Sequence, residues 1–117
     1  MIEENLSQFL ATISPNVYPL LLPGTDPPLP AIVYTAVSAR KSLGVDGCIY
    51  HQFYGFQIDV YSSSYLQAKT LADSLANIHG FQGDFHGLPV GLIRAEPQGE
   101  RIDSDLYRVI TDLLIYM

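Results

Sequence analysis

The chain has 117 residues, 12 acidic and 6 basic side chains, and a formal charge of −6 at pH 7. Apolar residues make up 48% and charged residues 15%, a balance that suits one globular core and excludes disorder or a two-lobed enzyme. The single Cys48 excludes a disulfide framework and a multi-cysteine zinc site, and twice as many acids as bases argue against a surface that coats DNA.

Ile2, Leu6, Phe9, Leu10 and Ile13 recur at helical spacing, so a first helix is predicted over 2–13, with Glu3 and Glu4 in its first turn and Pro15 stopping it. An acidic start is unlike a signal peptide, and the longest apolar stretch, 31–37, is far short of the roughly 20 residues of a membrane span. A soluble protein with no membrane partner is expected. Six of the eight prolines fall within 15–30, a density that forbids helix and central strand and predicts an extended arm. Pro27-Pro28-Leu29-Pro30 also fits the PxxP pattern of SH3-type ligands, but a stiff surface connector explains so short a pattern better.

Residues 31–38 are rich in β-branched and aromatic side chains and predict a first strand, followed by a polar connection over 39–47 that holds Arg40 and Lys41. A second strand is predicted over 49–61, with Tyr54, Phe56, Ile58 and Val60 on one face and His51, Gln57 and Asp59 on the other. Ser64 and Gln67 have the spacing of a capping box, and Ala68, Leu71, Ala72, Leu75 and Ile78 form the stripe of a second helix. His79 is placed in its last turn, with Gly80 as the cap. A glycine-rich loop over 80–87, a third strand over 88–95, a polar turn over 97–105 and a fourth strand over 106–116 complete the chain. The order α-β-β-α-β-β predicts one α+β domain, a mainly antiparallel four-stranded sheet with two helices on one face.

Two helices cover only one side of such a sheet, yet both faces of the fourth strand are largely apolar. Tyr107, Val109, Leu113 and Ile115 form one set; Leu106, Ile110, Leu114 and Tyr116 form the other. Self-association and a folded-back arm explain a second apolar face equally well.

His79, Asp84 and His86 surround the glycine-rich loop, but their spacing matches no helical pair or zinc loop, and polar loop residues explain them better. Cys48 and His51, three apart on a strand, point to opposite faces and form no dyad. Asp59, Asp103, Asp105 and Asp112 read as polar outward positions, and no phosphate-binding glycine loop or basic stripe is present. No enzyme, cofactor or metal is expected.

The run Phe56-Gln57-Ile58-Asp59-Val60-Tyr61-Ser62, followed by Tyr65, Ala68 and Leu71-Ala72, resembles the central signature of a family of small tail-completion proteins of long-tailed phages. Val17-Tyr18-Pro19 before a proline-rich stretch, Pro30-Ala31-Ile32-Val33-Tyr34 opening the first strand, and Leu106-Tyr107-Arg108-Val109 in the last agree with it. The ordered set covers almost the whole chain. Departures are the proline-heavy segment 23–28 and the unusually apolar stretch 17–22, which bear on the role of the arm.

That resemblance implies a ring similar to the lambda-type tail terminator, usually a homohexamer, which ends tail-tube polymerisation and offers a docking surface to the filled head. It implies as partners other copies of the chain, the tail tube protein and a head–tail connector protein, with DNA only passing through the lumen. It implies a place in the virion, at the head-proximal end of the tail, after assembly in the host cytoplasm of a phage or prophage. Six copies at −6 each carry −36, a lumen that repels passing DNA. Function then lies in surfaces. Arg40 and Lys41 on one connection, and Glu100, Arg101 and Asp103 on the other, have complementary signs and are the expected contacts, with Tyr107 and Tyr116 as apolar anchors. Competing readings are a head–tail adaptor, a monomeric ligand-binding domain, and a small metal-dependent enzyme using His79, Asp84 and His86.

Overall fold

The computed structural model describes residues 2–14, 16–19, 29–43, 49–103 and 106–117, with the backbone alone at 40–43, 49–52 and 103. Cys48, Asp105, the Asp46-Gly47 connection and most of the proline-rich arm lie outside the described residues, and so do the side chains of Arg40, Lys41, His51 and Asp103.

Helix α1 (Ile2–Ala11) is shorter than its apolar stripe, because Thr12, Ile13 and Ser14 turn back onto the carbonyls of Phe9 and Leu10. Leu6 and Leu10 are fully buried, while Phe9 packs on Phe85 with ring centroids 5.3 Å apart. Strand β1 (Val17–Pro19) comes from the arm. It is an edge strand, the one sheet position that tolerates such prolines, and it runs parallel to the start of β2 (Ala31–Leu43).

β2 does not stop at Ser38. A register shift between Ala36 and Ser38 re-aims the strand, which then continues antiparallel to β3 (Ile49–Ser62) up to Leu43, so Arg40 and Lys41 lie on a strand rather than a connection. Helix α2 (Tyr65–Ala76) follows from a true cap, in which the Gln67 N–H donates to Ser64 Oγ. The other half of the box is absent. Instead Ser62, fully buried, donates its hydroxyl to Gln67 Oε1 at 2.6 Å and accepts the Ser64 N–H. The helix ends before His79, where Ile78 and His79 make tighter bonds to Leu75 and Ala76.

The expected loop over 80–87 contains strand β4 (Gly83–Phe85), paired with β5 (Leu88–Val90) in a small hairpin under α1. After Gly91, β6 (Leu92–Asp103) runs straight through the expected polar turn and pairs with β7 (Leu106–Tyr116). Pro97 is tolerated because β6 is an edge strand, and Gly99, with φ of 153°, supplies the positive angle that the register shift after Pro97 requires.

The result is one α+β domain whose main sheet has five strands in the order β1-β2-β3-β7-β6, one pair parallel and the rest antiparallel. Both helices share a single core with Ile32, Phe56, Ile58, Val60, Leu113 and Ile115 on one face of that sheet. No helix among the described residues is long and apolar enough to cross a membrane.

Candidate assembly surfaces

The expected contact residues separate into two groups at opposite ends of the sheet. Tyr116 lies opposite Phe53, with rings 5.0 Å apart, and β7 ends there. Beyond that point β2 and β3 continue without a third strand among the described residues, with Arg40 opposite Phe53 and Lys41 opposite Gln52, so the pair 40–43 and 49–52 forms a two-stranded arm. Tyr107, by contrast, lies opposite Ser62 and Ile102, at the closed end of the β6–β7 hairpin that also carries Glu100, Arg101 and Asp103. Tyr107 and Tyr116 are nine residues apart on one strand, about 30 Å. Glu100 and Arg101 are therefore strand residues too, not turn residues as the polarity of 97–105 predicts.

The hairpin end is built by helix and sheet together. Tyr65 donates its hydroxyl to Glu100 Oε2 at 2.7 Å, Lys69 sits 2.7 Å from Oε1, and the Tyr65 and Tyr107 rings meet edge-on at 5.7 Å. The Lys69 bond first and the Tyr65 bond second hold the Glu100 carboxyl below its ordinary range, and the same bonds push Lys69 and Tyr65 up. Arg101, Ile102 and Tyr107 line a groove of about 280 Å³ beside them. Ile102 is 73% exposed in that groove, and Leu66, next to Tyr65 on α2, is 75% exposed, so large apolar side chains stand open to solvent at this end beside a neutralised charge cluster. Tyr65, Leu66, Lys69 and Ile102 were not among the expected contacts. Their signal was present: Leu66 falls off the buried stripe of α2, and Tyr65 and Lys69 are one helical turn apart.

The face away from the helices carries a second network. Asp59, expected to point to solvent, is only 4% exposed and meets Arg108 at 3.0 Å, while Gln57 donates to both carboxylate oxygens. The Arg108 guanidinium also lies 5.7 Å over the Tyr61 ring. Ala31 and Val33 on this face are buried as well. Next in the row, Asp112 stands between Gln57 and Glu96, and Glu96 is itself bound to Arg94.

Burial, then Glu96, then Asp59 raise the Asp112 carboxyl above its ordinary value. Between the unfolded and folded values the folded chain holds an extra proton, so this group's contribution falls as pH rises through that window and stays unfavourable above it. Like charges placed directly opposite also cost stability. Asp112→Asn is therefore expected to raise Tm at pH 7 by roughly 1–3 °C, a gain that disappears below the window. Thermal unfolding of both proteins across pH checks it.

The metal cluster weighed from the sequence is not assembled. His79 Nδ1 accepts the Ala95 N–H at 3.1 Å, using the lone pair a metal would need, and that bond rather than a helix end explains the residue. Asp84 accepts the Gly87 N–H inside its own turn, and the His86 ring meets Phe85 edge-on and Phe9 at a tilt. Among the described residues no three His, Cys, Asp or Glu side chains converge.

No family model matches the chain, and no curated protein matches it. Solved structures do. One solved chain, of 19% identity, has a TM-score of 0.60, the match covering 98% of this chain and 88% of that one. Another belongs to the virion of a native gene transfer agent particle, with a TM-score of 0.61 at 16% identity over 98% of this chain and 90% of that one. Over nearly its whole length, this chain shares its fold with a component of a gene transfer agent virion.

Proposed function

We propose that the protein is a structural component of a phage-like virion that closes the tail tube as a ring of identical copies, ending tube polymerisation and presenting the head-docking surface. The observation that carries the reading is the fold shared end to end with a component of a gene transfer agent virion. The ordered sequence signature that resembles phage tail-completion proteins supports it, and so do exposed apolar side chains around neutralised charges at the hairpin end. The partners on this reading are other copies, the tail tube protein and the head–tail connector, with DNA passing through a lumen of like charge. The work is done by surfaces, with no catalytic centre.

A stop codon at Arg40 in the source phage or prophage tests this directly. Electron microscopy of the induced lysate should show overlong, variable tails detached from DNA-filled heads. Tails of normal length beside filled heads would replace the terminator by a head–tail adaptor, and intact infectious particles would remove the protein from the neck.

A further inference from the structure

The main sheet has two outer edges, and each is closed over one part of its strand. On β6 the first half is closed from within. Ile93 donates its N–H to Phe81 O and accepts the Gly80 N–H, Ala95 donates to His79 Nδ1, and Pro97 has no N–H to offer. These are devices that stop a foreign strand from adding to an edge. They end at Pro97. From Gly99 to Asp103 the outer edge of β6 has no backbone partner among the described residues.

On β2 the pattern is the same but reversed along the strand. β1 covers Ile32 to Tyr34, and from Thr35 to Leu43 the outer edge has no backbone partner among the described residues. The two open stretches thus sit at opposite ends of an elongated subunit, 53 × 25 × 24 Å. Each carries one large exposed apolar side chain, Val37 at 56% on β2 and Ile102 at 73% on β6.

β2 runs toward the arm and β6 runs away from it. A neighbouring copy set beside this one with the same sheet direction therefore brings its β2 antiparallel to β6. We infer that copies join edge to edge, the open stretch of one β2 that begins at Thr35 adding to the open stretch 99–103 of the next copy's β6, with Val37 set beside Ile102. This is a heterologous contact, which closes into a ring if the rotation between copies allows. Backbone bonds supply affinity, and Val37 and Ile102 are covered. Closure of the β6 edge at 93–97 and of the β2 edge at 32–34 fixes the stagger. The inference rests on the ring reading and specifies its interface.

Val37→Lys and Ile102→Lys test it, since both positions are exposed and a lysine on an edge strand opposes strand addition. Self-association of the full chain is followed by sedimentation up to millimolar concentration, with thermal unfolding to confirm that both variants fold. Each variant alone should associate at least about tenfold more weakly than wild type. Their equimolar mixture should give dimers and nothing larger, because one copy retains an open β6 edge, the other an open β2 edge, and the outer ends both carry lysine. Variants that assemble as wild type does would overturn the edge contact and leave the ring intact. To catch weak assembly, Val37→Cys with Ile102→Cys in a Cys48→Ser background should yield an oxidised ladder of oligomers. A wild type that stays monomeric, together with no ladder, would overturn the ring itself.

Discussion

Arg108→Ala is expected to destabilise the fold by about 3 kcal/mol, a large share of the 5–15 kcal/mol typical of a domain. The reason is the carboxylate it leaves behind. Asp59 is 4% exposed on the central strand β3, and the loss of Arg108 leaves its charge in the sheet with, among the described side chains, the Gln57 amide for compensation. Asp59→Asn should cost less, about 2 kcal/mol, because the Arg108 side chain is 21% exposed and its long stem can turn the guanidinium toward water. Replacing both residues by apolar ones of similar volume, Asp59→Leu with Arg108→Met, should recover most of the loss, since a buried pair often adds little over good packing. Urea unfolding with a common m-value reads all three. An Arg108→Ala protein within about 0.5 kcal/mol of wild type would show that the pair is solvated rather than buried.

That pair also marks where reading the sequence runs out. Asp59 was visible as the polar member of an alternating strand, and alternation correctly put it on the face away from the helices. Its burial was not visible. Its partner is 49 residues away on β7, and no periodicity links positions that meet only through strand order. The same limit applies to the small parallel strand β1, whose three residues are held by β2 rather than by their own propensity.

The helices and the inward sets of β3 and β7 were legible because each repeats an apolar position several times. The ends of β2 and β6 were not. Both strands run past the region that has a buried face, so Arg40 and Lys41, or Gln98 to Arg101, break no burial rule and still read as loops by polarity. Pro97 strengthened that misreading, although an edge strand accepts a proline without losing a ladder bond. The expected contact residues fared in the same way. Glu100, Arg101 and Tyr107 come together because one hairpin carries them, while Tyr116 stands at the other end with Phe53. Leu66 and Ile102 were passed over because single exposed apolar residues are ordinary on any surface.

Phe56→Ala should cost the most of any single truncation, about 3–5 kcal/mol, or roughly 12–20 °C in Tm for a chain of this length. Phe56 is 1% exposed at the centre of β3, opposite Ala36 on β2 and Leu113 on β7, so the cavity it leaves is walled by three strands that cannot all close in. Phe85 is just as buried, but it sits on the small hairpin against Phe9 and Phe81, where α1 can settle, and Phe85→Ala should cost less. Phe56→Leu keeps most of the volume and should lose only about 1–1.5 kcal/mol. The consequence for assembly differs in kind from that of an edge variant. The open stretches of β2 and β6 are held in register through β3 and β7, so Phe56→Ala should give particles that form at low growth temperature and fail at high, as the folded fraction falls. Val37→Lys should impair assembly at every temperature, because the fold is intact and the contact is not. Equal temperature dependence of the two variants would mean that Val37 acts through stability, and the distinction between core and edge would collapse.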